Sequence, residues 1–502
     1  MFLLFLSAGL VYIFTKTIYR LYLHPLASFP GPKLAASTSL FNAYHDILGT
    51  GYVKLFPALH AKYGPIIRIQ PNELHIEGLE AYNQIHRVST PFARIWHNNP
   101  FLTGSLQSLT TLPATSKRRA YISPFFSRSA ISRAEPTLHG PKLSKFLAQL
   151  ARADGSVVNF FLAFRCLTAD VVMNYCFQND LDALAHPEFR NRTLERMVDG
   201  MDMAVTSTFF PNLFGVLNAV IFALPERARE KWFAPIYGFQ TMQSLARERV
   251  EEAWKQRGQA KDQGSGEHMT MFDAMCNPDT GKGQVGVEKE DMVADGCLMI
   301  AAGTDTGANA LGRILWHVTQ DKEIEGQLLK ELRKSMGKDD VVPSATLDGE
   351  GFEYMRAVVK EGLRLSYGVP GRMMRKVPEG GAKFGDTWVP GGQAIVNTCI
   401  YMNNTNPEVF PDPFRFDPER WICDAETYLL RDKHMVSFSR GSRGCIGQNL
   451  ALALLHLTVA HLFRRFEITT TGYTTERDME WKDCFVPSCF GRIKGRVEIR
   501  SE

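Results

Sequence analysis

The chain has 502 residues, of which 45% are hydrophobic and 22% charged, and its formal net charge is +4. So small a positive excess on so long a chain excludes a partner held by bulk charge, nucleic acid above all, while the apolar share is enough to bury a large core. The nine cysteines are scattered, odd in number and contain no CxxC pair, which excludes a disulfide framework or a zinc site and fits a reducing, cytosol-facing compartment.

Residues 2–14 carry no charge, and Lys16 and Arg20 follow among Ile18, Tyr19, Leu21, Tyr22 and Leu23. A full span needs about 20 apolar residues, reached here if Lys16 snorkels toward the headgroups. The basic residues after the apolar run predict a single N-terminal membrane anchor, residues 1–23, with the bulk of the chain on the cytosolic side. A peripheral amphipathic segment is the alternative. Residues 24–33 hold Pro25, Pro30, Gly31 and Pro32, which cannot continue a helix and read as a stiff hinge. No linker follows, so 34–502 reads as one domain.

Ile66-Ile-Arg-Ile-Gln and Glu73-Leu-His-Ile-Glu alternate like paired short strands. Residues 89–116 lack periodicity and form a long loop whose Trp96, Phe101 and Leu102 are able to face a ligand. From about 136 to 260 the pattern is mostly helical. Within it, residues 209–224 are so apolar that they read either as core helices or as a surface dipping into a membrane. The polar stretch 255–287 contains Gly281-Lys-Gly283-Gln-Val-Gly286, a literal GxGxxG. No strand precedes it, so it predicts no dinucleotide site.

Residues 288–320 read as one helix, about 50 Å long at 1.5 Å per residue. Its middle, Ala301-Ala-Gly-Thr-Asp305-Thr306-Gly, weakens the backbone ladder and predicts a local bulge or kink. An acid and a hydroxyl in an apolar helix point to proton handling, against the plainer reading of a satisfied polar notch. Glu361 and Arg364 are i, i+3 neighbours on another helix and by themselves read as a surface pair of little worth. Later come the coil ending in Pro418-Glu-Arg420 and the loop Phe438-Ser-Arg-Gly441-Ser-Arg443-Gly-Cys445-Ile-Gly447. A thiolate on such a glycine-punctuated loop is a good soft ligand for a metal, although a single cysteine is most often a small buried hydrophobe.

Taken in order, Gly303-Thr-Asp305-Thr306, Glu361-x-x-Arg364, Pro418-Glu-Arg420 and Phe438-x-x-Gly441-x-Arg443-x-Cys445-x-Gly447 closely resemble the haem-thiolate monooxygenases of the cytochrome P-450 superfamily. Leu21-Tyr-Leu-His-Pro, Phe29-Pro-Gly-Pro-Lys and Ser123-Pro-Phe-Phe-Ser127 look most like fungal secondary-metabolite members such as the trichodiene-oxygenase group. The resemblance implies a mainly α fold with a smaller β portion, a triangular helical prism around a buried haem b. It implies Cys445 as the axial ligand of the haem iron, Phe438 packed near the sulfur, and Arg443, Arg119 and Arg375 as partners of the haem propionates.

It also implies a buried ion-pair triad of Glu361, Arg364 and Arg420, with Thr306 and Asp305 serving oxygen and protons. Thr115 stands where the family commonly places a Trp or His four residues before Arg119, so one ring donor is replaced by a hydroxyl. The basic cluster around Arg118 is either part of this site or a face for an acidic reductase. The chain has no believable flavin or nicotinamide site of its own. A separate NADPH–haemoprotein reductase, carrying the NADPH and flavins, is therefore implied, together with an endoplasmic reticulum location and a hydrophobic terpenoid or polyketide substrate. The lining implied for that substrate is the 89–116 loop, the 205–224 helices, Ala302, residues 369–374 and the surroundings of Phe485. A haem-thiolate isomerase or dehydratase, or a haem-binding sensor, are the alternatives.

Overall fold

The computed structural model describes residues 1–95, 102–179, 181–201, 204–256, 270–276 and 287–501. Trp96, Phe101 and the Gly281–Gly286 run lie outside these residues. The helices that position the site are α1 (Phe2–Ile18), α2 (Leu112–Ile122), α3 (Phe160–Phe177), α4 (Arg192–Met201), α5 (Pro211–Phe222), α6 (Ala234–Gln256), α7 (Lys289–Gln320), α8 (Glu353–Ser366) and α9 (Gln448–Arg465). α7 runs through the middle and packs on α3, α6, α8 and α9. Its buried residues, from Met292 to Val318, therefore fall all round its circumference rather than on one stripe.

The expected bulge in α7 is absent. Residues Lys289–Gln320 form one continuous α-helix. The small residues serve a helix crossing instead: a Cβ on Gly303 would lie 2.5 Å from Val172 Cγ2 of α3. Only glycine lets the two backbones come that close, and the contact offsets its poor helix propensity.

A five-stranded sheet has the order β1-β2-β5-β4-β3, where β1 is Ile66–Gln70, β2 Glu73–Ile76, β3 Ala93–Arg94, β4 Arg375–Lys376 and β5 Ile395–Asn397. β1 and β2 are the antiparallel pair expected from their alternation. The hairpin of β6 (Trp481–Cys484) and β7 (Val486–Cys489) turns at Phe485, whose φ is +78°. Residues 24–33 are not a free hinge. Leu26 is fully buried against Ile66, Leu74 and Val396, and Pro30 O accepts from Arg68 N at 2.6 Å.

Before that segment, Phe2–Leu23 is 22 residues of apolar helix with nothing buried inside the protein. Its length of about 33 Å matches the ~30 Å hydrocarbon core of a bilayer. α3 passes the same test of length and composition but is largely buried, so it is a core helix. α5 divides the two readings of residues 209–224. Phe214 and Ile221 face inward, while Leu213, Val216 and Val220 are exposed together on the opposite side as one apolar stripe.

Candidate functional site

The Cys445 loop is set by two backbone features. Ser439 and Gly441 have φ of +56° and +69°, and a Cβ on Gly441 would sit 2.0 Å from His86 O. The loop thus presses on the chain at His86 and Arg87, where no other residue fits. Cys445 N donates to Phe438 O at 2.8 Å and closes the loop. The thiol is accessible although it lies deep in the protein, so it faces an internal cleft rather than the outer surface. Burial pushes the Cys445 thiol up. The Gly447 backbone N–H and the Arg119 guanidinium act in the opposite direction, as a thiolate ligand requires. Phe438 is partly buried and packs on the main core.

Around this loop the chain gathers guanidiniums without acids. Arg119 Nη1, from α2, donates to Gly444 O at 3.0 Å. Arg443 Nη2 reaches Thr111 O at 3.4 Å, and its buried Nη1 has no partner among the described residues. Arg375 on β4 lies directly opposite Arg94 on β3. Arg375 Nη2 donates to His86 Nδ1 at 3.3 Å, which leaves the His86 Nε2–H for Thr398 Oγ1 at 3.0 Å.

Among the described residues, no carboxylate pairs with Arg94, Arg119, Arg375 or Arg443. Burial and mutual repulsion pull Arg94 down to about 9, and Arg375 and Arg443 to about 10. A cradle of cations, Arg375 buried and the other three half-buried, that repel one another fits a ligand with two carboxylates. The sequence reading missed Arg94 and His86, since nothing local marks either of them.

Three neighbouring basic residues have three different fates. Lys117 is exposed, and Arg119 joins the cradle. Arg118 is buried in a bridge to Asp291 (2.6 Å) and Asp295 (2.5 Å) of α7. That corrects the reading of Arg118 as a reductase face, because its charge is spent inside the protein. Thr115 is buried, and its hydroxyl donates to Thr111 O of its own helix at 2.8 Å. It is not turned out as a substitute for a ring N–H.

On α7, Ala302 is exposed between buried neighbours, so the helix is open at that point. Thr306 Oγ1 donates to Ala302 O at 2.8 Å, which leaves its lone pairs to accept. Asp305 is mostly buried and paired with Arg165 Nε of α3 at 2.7 Å. Arg165 also donates to Phe161 O at 3.1 Å and lies 3.6 Å over the Phe161 ring. Nothing local pointed to Arg165, since a lone arginine in an apolar helix reveals no distant partner.

Behind the loop, Glu361 and Arg364 of α8 are completely buried, which replaces the surface-pair reading. Arg364 Nε and Nη2 donate to the two oxygens of Glu361 at 2.8 and 2.7 Å. The same carboxylate accepts from Trp421 Nε1 at 3.0 Å and Asp417 N at 3.1 Å, and Arg420 Nε stands 3.3 Å away. Arg364 Nη1 donates to Asn404 O and Pro413 O at 2.9 and 2.6 Å. Such saturation is what a buried pair requires. It ties α8 to the coil that leads into the Cys445 loop.

The family model described as Cytochrome P450 matches residues 32–488. Conidiogenone synthase PchP450 of Penicillium rubens is 34% identical over 470 residues, 91% of each chain. Cytochrome P450 monooxygenase TRI4 of Trichoderma arundinaceum is 30% identical over 506 residues, 99% of this chain and 94% of its own. Cytochrome P450 monooxygenase astB of Aspergillus terreus is 31% identical over 473 residues, 91% of this chain and 88% of its own.

Proposed function

Since the chain belongs to the cytochrome P450 family and is an oxygen-incorporating oxidoreductase of the haem-thiolate type, we propose that it hydroxylates or epoxidises a hydrophobic terpenoid or polyketide intermediate of fungal secondary metabolism. The observation that carries this reading is the meeting of the Cys445 loop with a largely enclosed cradle of unneutralised arginines. When bound there, haem supplies the activation of dioxygen. Cys445 holds it through sulfur, Phe438 packs beside the loop, and Arg94, Arg119, Arg375 and Arg443 take its propionates. Arg94 makes up for the donor that Thr115 does not offer.

Thr306 accepts a hydrogen bond from a protonated partner on the distal side and keeps it oriented. Asp305 moves protons when it parts from Arg165. The relatives are named a conidiogenone synthase and monooxygenases. With the apolar residues beside the cleft (Ile300, Ala301, Met197 and Met242 line one pocket), they support a hydrophobic substrate. Electrons come from a separate NADPH–haemoprotein reductase. Phe2–Leu23 anchors the chain in the endoplasmic reticulum membrane with residues 34–502 as one cytosolic domain, and the exposed face of α5 rests on the same membrane.

Turnover of a terpenoid substrate under 18O2 with the reductase is expected to place one labelled oxygen atom in the product. Label drawn only from water would contradict the reading. Arg94→Gln is expected to speed loss of haem to a scavenger protein by about tenfold, the worth of one hydrogen bond to a charged group. Unchanged haem retention would remove Arg94 from the cradle.

A further inference from the structure

Beside Arg165, the partner of Asp305, a second guanidinium, Arg313, has no assigned role. A small cavity of about 20 Å³, room for one water-sized or chloride-sized group, lies between α3, α7 and β7, lined by Phe161, Arg165, Ala308, Arg313, Cys489 and Ile493 among others. It shares no residue with the arginine cradle. Arg165 already gives Nε to Asp305 and Nη1 to Phe161 O. Arg313 is only 7% exposed, and among the described residues no carboxylate pairs with it. Its Nη2 reaches Cys489 Sγ at 3.4 Å, a weak acceptor, and its buried Nε has no partner among the described residues.

The lining therefore carries two guanidiniums, while the two carboxylates beside it are engaged elsewhere: Asp305 pairs with Arg165, and Asp478, which lies against Gly491, accepts from Thr475 N. The nearby bases do not change the sum in its favour. Burial, with the charges of Arg313 and Arg364, pulls His317 down to about 3 and keeps it neutral. A largely buried cation without a counter-charge is costly, and a bound anion offsets that cost.

We propose that this pocket binds a small monovalent anion, either chloride or the carboxylate of a small organic acid, between Arg165 and Arg313. The apolar walls from Phe161, Ala308 and Ile493 favour a weakly hydrated monoanion over phosphate. The site shares Arg165 with the Asp305 pair of the reaction proposed above, but its test does not use turnover, so the two fail separately.

The test is thermal unfolding of the full-length, haem-loaded protein at constant ionic strength, with fluoride exchanged for chloride in one series and for formate in another. The wild type is expected to show a saturable rise in Tm, about 1–2 °C at ten times Kd for a chain of this size. Arg313→Gln removes the cation and is expected to flatten both series. Cys489→Asp supplies Arg313 with an internal carboxylate, is expected to flatten them too, and carries the test if Arg313→Gln does not fold. A rise with formate alone or chloride alone identifies the ligand class. No rise in the wild type, or an equal rise in the variants, would overturn the site.

Discussion

Glu361→Ala and Arg364→Ala should each abolish recovery of folded, haem-loaded protein. Either change leaves a fully buried charge without its partner, and Arg364→Ala also strips Asn404 O, Pro413 O and Arg415 O of a donor. The cost is roughly 3–5 kcal/mol, against a total stability of about 5–15 kcal/mol. Lys376 and Glu379 give an internal comparison. They form an i, i+3 pair at 2.9 Å, with side chains 47% and 79% exposed, and Lys376→Ala should change stability by less than about 1 kcal/mol. Chemical denaturation, with the Soret absorbance per mole of protein, measures both. Normal haem content in Glu361→Ala would contradict the role given to the buried set.

Thr306→Ala should leave folding and the haem spectrum intact while lowering product formed per NADPH consumed by about fivefold to tenfold, the worth of one positioned hydrogen bond. The missing reducing equivalents should appear as peroxide. The reason is geometric: Thr306 Oγ1 gives its proton to Ala302 O at 2.8 Å, so toward a bound group it is able only to accept. Thr306→Ser keeps that acceptor and should restore most of the coupling. Asp305→Asn should slow turnover and also expose the debt of Arg165, whose one carboxylate partner is Asp305. Unchanged coupling in Thr306→Ala would remove the hydroxyl from the reaction.

The parts of this site that were legible in the sequence are those encoded locally. The Cys445 loop announced itself through its glycines, and Gly441 does meet the backbone of His86 at a distance that admits no side chain. The strands Ile66–Gln70 and Glu73–Ile76 and the helix Lys289–Gln320 followed from periodicity. What escaped was set by contacts between distant segments. An i, i+3 spacing cannot tell the buried Glu361–Arg364 pair from the exposed Lys376–Glu379 pair, because burial belongs to the whole fold.

The run Lys117-Arg118-Arg119 looked like one basic patch. On α2 successive side chains point about 100° apart, so one faces water, one faces α7 and one faces the Cys445 loop. Gly303 was read as a weak point in a helix, whereas it is the place where Val172 comes closest. Arg94 and Arg165 carried no local signal, since their partners lie on strands and helices hundreds of residues away or across the core.

The central claim is that Cys445 binds haem iron as a thiolate. The most direct measurement is the reduced, carbon monoxide difference spectrum of the wild type and of Cys445→His. The wild type should give the strongly red-shifted Soret band of thiolate ligation, and Cys445→His should lose it while retaining some haem. A wild-type spectrum without that band, or the same band in Cys445→His, would contradict the assignment.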